Sequence, residues 1–212
     1  PAPPPWTRRS SAAPRRRSPT RLDGPALVRR RPRHHHHQGR HRLLLRRRVV
    51  APTKILTAAH CVKGYDWKAH GVVVTGTAQL LSEDAGGNLD LHGGTARGVW
   101  RQWNYPSYND VTIDNDIALL TLPTPVKATP IPMTTAGDTA SYTAGTPAKV
   151  FGWGRTSSTS QDISDLLKTA ELPIQSNATC SDAYGSDFVA GHMVCAGEPA
   201  TGSDTGTTSA CN

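Results

Sequence analysis

Short runs of apolar and β-branched residues, separated by glycine, proline, asparagine and aspartate, follow one another along residues 49–212. Clear examples are residues 71–74, 117–122 and 148–151. Runs of this length and spacing are typical of the strands of an all-β sandwich or barrel rather than of a helical bundle. One or two helical turns are predicted near residues 177–184, beside Cys180.

Residues 1–48 have a different composition, with eight prolines, fifteen arginines, five histidines and no periodic apolar pattern. Such a segment buries too little apolar surface to offset the entropy cost of ordering it, so we predict disorder. The composition changes abruptly at Val49, which divides the chain into a low-complexity tail, 1–48, and a body, 49–212. Within the body, the proline-containing stretch 122–125 is the predicted link between two halves.

The net charge of +8 is unevenly distributed along the chain. The tail holds 15 of the 24 lysines and arginines and one acid, which leaves 9 basic and 15 acidic residues, a net charge of −6, in the body. This distribution gives no basic footprint on the folded part, so we expect no specific nucleic-acid partner. A nucleic-acid-binding arm formed by the tail alone is an alternative. No run approaches the roughly 18 consecutive apolar residues of a membrane helix, and we expect no membrane partner.

Three segments carry the candidate chemistry. The sequence Thr-Ala-Ala-His-Cys surrounds His60, the sequence Asp-Ile-Ala-Leu-Leu begins at Asp116, and a Gly-Trp-Gly segment is centred on Trp153. In this order they resemble the chymotrypsin/trypsin-like serine proteases. The resemblance implies an all-β, chymotrypsin-like double β-barrel, with a first barrel within 43–122 and a second, incomplete barrel within 126–212.

The same resemblance implies a serine endopeptidase that cleaves peptide bonds through an acyl-enzyme. His60 would be the general base and Asp116 the carboxylate that orients it. Asp114 is a rival for the second role, because residues two apart lie on the same face of a strand, but its surroundings are typical of a solvated loop. The other body histidines, at positions 70, 92 and 192, have no acid at a suggestive spacing and are expected to be surface or packing residues.

The nucleophile segment of the family, Gly-Asp-Ser-Gly-Gly-Pro, would begin beyond Asn212. The 212 residues are therefore expected to lack the nucleophilic serine and to be inactive by themselves. Ser209 is the predicted floor of the specificity pocket, which favours apolar or aromatic side chains, and Asp204 is the alternative. No metal or cofactor is expected. The expected partner is a peptide or protein substrate, bound by a monomer.

The four cysteines indicate the redox setting and the possible disulfides. An even number in a β-type body indicates an oxidising, extracellular setting, so we expect a secreted protein. The resemblance implies a disulfide between Cys180 and Cys195, with Cys61 and Cys211 unpaired. The family also has a Cys-Gly-Gly segment whose cysteine pairs with the one after the catalytic histidine. GC-rich codons for residues 45–48, read one base later, would encode it, so an out-of-frame tail is a second interpretation of residues 1–48.

A function of another class is also compatible with these motifs. A protease homologue that has lost catalysis can serve as a binding module. Such a module is free to lose its histidine and aspartate, and the presence of both His60 and Asp116 favours the enzyme.

Overall fold

A computed structural model of the chain describes residues 26–30, 45–84, 86–156 and 162–197. The all-β class is confirmed, because strands dominate these residues. The strands are β1 (Ala26–Arg30), β2 (Leu45–Ala51), β3 (Lys54–Thr57), β4 (Gly71–Thr75), β5 (Ser82–Glu83), β6 (Leu89–Asp90), β7 (Thr95–Gly98), β8 (Arg101–Asn104), β9 (Ala118–Thr121), β10 (Pro147–Gly152) and β11 (Lys168–Pro173). The α-helices are α1 (Trp67–His70) and α2 (Asn177–Tyr184), and short 3₁₀ turns cover Ala59–Cys61, Ala140–Tyr142 and Gly185–Asp187.

The described residues divide into two compact units. The first unit contains 26–30, 45–84, 86–133 and 165–167, and the second contains 134–156, 162–164 and 168–197. The predicted link at 122–125 lies inside the first unit. Backbone hydrogen bonds tie this part of the chain to the β2–β3 region: Leu122 and Val126 donate to Thr53 and Pro52, both at 2.9 Å.

A seven-stranded antiparallel sheet builds the first unit, in the order β7-β4-β1-β2-β3-β9-β8. Its two end strands, β7 and β8, are consecutive in the chain and separated only by Val99 and Trp100. The backbone pairings of the described strands do not join these two ends, so they do not form a closed barrel. A small two-stranded sheet, β5–β6, completes the unit.

Two strands lie where the sequence predicts a disordered tail. β1 falls entirely within residues 1–48 and pairs with both β2 and β4, and β2 crosses the predicted boundary at residue 48. The Ala-Leu-Val run of β1 has the apolar, β-branched character of strands. Its backbone groups are satisfied by the ladders on either side. A basic composition therefore does not prevent these short segments from pairing; the remaining tail residues lie outside the described part.

One hydrophobic cluster forms the core of the first unit. Its completely buried members include Ile55 of β3, Trp67 of α1, Val73 of β4 and Leu120 of β9. The alternation of β3, with Ile55 and Thr57 buried and their neighbours half-buried, directs every second side chain into this cluster. The cluster also contains Ala59 and Cys61, which flank His60. The histidine turn is therefore anchored by the core itself.

The second unit is built on the β10–β11 hairpin and the helix α2. The Ser176 hydroxyl caps α2 by accepting a hydrogen bond from the Thr179 N–H at 3.0 Å, and the predicted helical turns near residues 177–184 are confirmed. The predicted disulfide between Cys180 and Cys195 is also confirmed. Because it closes a loop of 15 residues, it stabilises the fold by about 3 kcal/mol in the chain-entropy account.

Candidate active site

The register of two neighbouring strands places His60 beside Asp116. In the antiparallel pair β3–β9, Thr57 lies opposite Ala118. The residues that follow the end of β3 therefore meet those that precede the start of β9. The 3₁₀ turn Ala59–Cys61 then turns the chain, so that His60 and Asp116, 56 residues apart in sequence, come into contact.

Both carboxylate oxygens of Asp116 bind His60. The imidazole Nδ1 lies 2.6 Å from Oδ2, and the backbone N–H of His60 donates to Oδ1 at 2.8 Å. The Asp116 side chain is 3% exposed, whereas that of His60 is 31% exposed. The carboxylate is thus held in one orientation inside the protein, and the imidazole reaches solvent. The structure brings together the two residues for which the sequence predicts catalytic roles.

The second ring nitrogen of His60 faces a thiol. Its Nε2 lies 3.2 Å from Sγ of Cys61, which is buried and makes no disulfide. The roles in this contact depend on the protonation of the ring: in the neutral imidazole Nε2 accepts from the S–H group, and in the imidazolium the Nε2–H group donates to the sulfur. The contact between Cys61 and the imidazole was not predicted from the sequence. The sequence signal for this contact was that Cys61 directly follows His60. The side chains of adjacent residues point apart unless a tight turn brings them together, so this signal was not sufficient.

Asp116 favours the charged form of the histidine. The hydrogen bond to its carboxylate, assisted by the contact with Cys61, raises the pKa of His60 from 6.5 to about 10, although partial burial opposes the shift. The arrangement therefore stabilises an imidazolium. This is the state that a general base reaches after it has taken a proton from a nucleophile.

We expect NMR titration to show His60 protonated well above pH 6.5. Asp116→Asn should return the midpoint towards 6.5, because the largest cause of the shift is then lost, and Cys61→Ala should lower it by less. The folded pKa exceeds the unfolded one, so the associated stability is complete below pH 6.5 and disappears as the pH rises through about 10. Urea unfolding at both ends of this range measures that loss. A midpoint near 6.5 in the unmodified chain would contradict the assignment.

Asp114→Asn is the matched control, because it makes the same change two residues away. The carboxylate oxygens of Asp114 accept hydrogen bonds from the backbone and side-chain N–H groups of Asn115, at 2.8 and 3.1 Å. They belong to the loop that precedes β9, where Ile113 and Asn115 both have positive φ values. The rival aspartate thus binds within the loop, whereas Asp116 binds the imidazole, and we expect Asp114→Asn to change the His60 titration far less than Asp116→Asn.

The prediction that His92 has no acid at a suggestive spacing is wrong. This histidine is expected to be a surface or packing residue without an acid partner, but its Nδ1 lies 3.2 Å from Oδ2 of Asp90, two residues earlier. Asp90 ends β6 and His92 lies in the left-handed turn that follows it, so the short separation along the chain was the missed signal. Of the other predicted site residues, Asp204, Ser209 and Cys211 lie outside the described part of the chain.

Two further observations concern metal binding and membrane-spanning helices in the described residues. Within the described residues, no three or more histidine, cysteine or acidic side chains converge closely enough to bind a metal ion. The described helices are all too short or too polar to span a membrane.

Comparison with known proteins identifies the chain. The family model described as Trypsin matches residues 34–211. The chain belongs to the trypsin family. Trypsin-family proteins are serine proteases with the chymotrypsin-like fold, and the strand-rich structure agrees with that fold. The match begins before Val49, so the family resemblance extends into residues 34–48, which the sequence analysis assigned to the tail.

Curated trypsin-family relatives come from bacteria and animals. The chain is 40% identical over 157 residues to "Trypsin" of Saccharopolyspora erythraea, which covers 74% of this chain and 63% of that protein. It is 35% identical over 137 residues to "Brachyurin" of Leptuca pugilator, covering 65% and 56%. It is 30% identical over 161 residues to "Trypsin-3" of Salmo salar, covering 74% and 60%. The chain thus spans less than two thirds of the length of these relatives.

Proposed function

We propose that the chain contributes the base and the orienting carboxylate of a secreted serine endopeptidase. The observation that carries this proposal is the pair of hydrogen bonds from His60 to Asp116. Trypsin-like proteases act on peptide and protein substrates, and the two motifs around these residues are those of that family. The nucleophile of the proposed enzyme is the serine of the family's Gly-Asp-Ser-Gly-Gly segment.

In the proposed reaction His60 Nε2 takes the proton of the serine hydroxyl as the oxygen attacks the peptide carbonyl. Catalysis requires the neutral ring, which becomes populated as the pH approaches the raised pKa of about 10, and in that form Asp116 holds the tautomer that leaves Nε2 able to accept. Nε2 faces the Cys61 thiol at 3.2 Å, so the serine hydroxyl has to replace that thiol as the donor. His60 then returns its proton to the leaving amine, and water hydrolyses the acyl-enzyme by the same route.

The proposal is tested with a chain extended to include the Gly-Asp-Ser-Gly-Gly segment of the family. We expect this protein to hydrolyse peptide esters with a burst of acyl-enzyme, and we expect residues 1–212 alone to release no product from a peptide amide. His60→Ala in the extended chain should abolish the burst. A folded extended chain without hydrolysis would refute the proposal and favour a non-catalytic binding module.

Ser209 or Asp204 decides the substrate side chain that the proposed enzyme accepts. A pocket floored by Ser209 carries no anion and favours apolar or aromatic residues, whereas Asp204 would pair with lysine or arginine. Phenylalanine and arginine esters compared in the same assay separate the two assignments. Faster hydrolysis of the phenylalanine ester is expected.

A further inference from the structure

A second Ser–His–Asp arrangement lies in the first unit, away in sequence from His60 and Asp116. It is built by the hairpin β5–β6, in which Ser82 lies directly opposite Asp90. His92 follows Asp90 by two residues, and its side chain contacts both Ser82 and Asp90. The Ser82 Oγ lies 3.0 Å from Nε2 of His92, and Nδ1 of the same ring lies 3.2 Å from Oδ2 of Asp90.

His92 is hydrogen bonded to Ser82 through Nε2, and its Nδ1 lies at ion-pair distance from Asp90, which together favour one direction for proton transfer. Asp90 binds His92 twice, because its Oδ1 also accepts the backbone N–H of His92 at 2.8 Å. A carboxylate at Nδ1 places the imidazole proton there, and Nε2 is then the acceptor for the Ser82 hydroxyl. This order of contacts, hydroxyl to imidazole to carboxylate, is the one that nucleophilic catalysis by serine requires.

The backbone fixes this geometry on the histidine side. His92 and Gly93 have φ values of 46° and 78° in a turn closed by the Gly94 N–H, which donates to the Leu91 carbonyl at 2.8 Å. A non-glycine residue with positive φ is uncommon, and its cost must be offset by the surroundings. A Cβ added to Gly94 would lie 2.9 Å from the Leu91 oxygen and from a methyl group of Val74 in β4, so the turn sits tightly on the sheet.

The loop between β5 and β6 fixes the position of Ser82 relative to Asp90. The Asp84 carboxylate accepts backbone N–H groups of Gly86 at 2.9 Å and Asn88 at 2.8 Å. These bonds, with that from the Asn88 side chain, lower the pKa of Asp84. The loop therefore holds β5 and β6 in one register, and that register keeps Ser82 opposite Asp90. Ser82 is half-buried, and the side chains of His92 and Asp90 are 18% and 52% exposed, so the arrangement lies at the surface of the first unit.

We propose that Ser82, with His92 as its base and Asp90 as the positioning residue, is a second acyl-transfer site that accepts small activated esters. The Ser82 oxygen attacks the ester carbonyl carbon while His92 Nε2 takes the hydroxyl proton. The bond from the carbonyl carbon to the leaving oxygen then breaks, and the proton passes from His92 to the departing alkoxide or phenoxide. Water attacks the acyl-serine with His92 again as base, which releases a carboxylic acid and regenerates the hydroxyl. Nothing is oxidised or reduced.

Aryl esters are the substrate class that this surface position fits. Their leaving group departs with little acid assistance, so a surface triad without a deep binding cleft can react with them. The proposal does not depend on the serine segment of the family, because every participating group lies within residues 82–92. It therefore stands or fails separately from the endopeptidase proposal.

The test uses the 212-residue chain and p-nitrophenyl acetate. We expect release of p-nitrophenol and one acetyl group on Ser82, located by peptide mass spectrometry. Ser82→Ala should abolish the acetylation, and His92→Ala should slow it by about 10²-fold or more, the usual contribution of a general base. Asp90→Asn should lower kcat with KM unchanged, because it alters the imidazole rather than ester binding. Ser181→Ala, an exposed serine in α2, is the matched control that should leave the rate unchanged.

Two results would overturn the proposal. One is acetyl found on lysine or histidine side chains while Ser82 stays unmodified in the unaltered chain. The other is an unchanged rate of ester hydrolysis in Ser82→Ala. Because the mapping is done on the unaltered chain, it remains decisive even where a variant fails to fold, and circular dichroism of each variant identifies such a failure.

Discussion

Replacing Asp116 by asparagine is expected to lower kcat of the extended enzyme by about 10⁴-fold, the loss known for this carboxylate-to-amide change in a Ser–His–Asp triad of the same family. An asparagine amide can donate to Nδ1, which moves the imidazole proton to Nε2 and removes the acceptor for the serine hydroxyl. The variant keeps an oxygen for the backbone N–H of His60, now bound at 2.8 Å by Oδ1, so the turn should stay in place.

Steady-state hydrolysis of a peptide ester by the extended chain measures this effect. The control is Asp114→Asn, because its carboxylate binds Asn115 in the loop and should leave kcat within about twofold. A loss smaller than tenfold for Asp116→Asn, in a protein whose fold is intact, would contradict the orienting role. Equal losses in the two variants would indicate a general effect of the loop rather than one on the imidazole.

The second large effect is expected in the core. Leu120→Ala should lower the free energy of unfolding by about 3 kcal/mol, because the side chain is 0% exposed and its removal leaves a cavity. Leu120 lies on β9, opposite Ile55 of β3, in the pair of strands that positions His60 and Asp116. The change should therefore also loosen the candidate active site.

Urea unfolding measures the loss, and the same substitution on the surface provides the control. Leu166 is 55% exposed, and Leu166→Ala should cost about 0.5 kcal/mol. Similar losses in both variants would mean that the interior cluster does not stabilise the first unit. If the His60 titration midpoint in Leu120→Ala equals that of the unmodified chain, the candidate active site is unaffected by this cavity.

The sequence was informative where a motif carries its own structure. The segments around His60 and Asp116 predicted the contact between the two side chains, because each is a long and specific pattern. The short apolar, β-branched runs at residues 71–74 and 117–122 likewise predicted the strands β4 and β9. Helical turns were also predicted near residues 177–184, beside Cys180, and α2 occupies them.

Other features depended on pairings that no local pattern reveals. β1 is predicted as disordered because arginine and proline surround it, and only the ladders with β2 and β4 identify it as a strand. β5 and β6 are two residues long, too short for a recognisable alternation. The contact of Ser82 with His92 follows from the register of β5 against β6 and from the left-handed turn after β6. Both are set by tertiary packing.

The placement of His60 and Asp116 by directly adjacent strands has an evolutionary consequence. The chain leaves the site after Cys61 and returns to it just before Asp116. The length of this intervening stretch therefore does not determine the distance between His60 and Asp116. Loops within this stretch can accept insertions and deletions without moving the imidazole relative to the carboxylate, since lengthening a surface loop costs little free energy. Divergence among relatives should accordingly concentrate in loop length there, while the two anchoring segments keep their spacing to the strands.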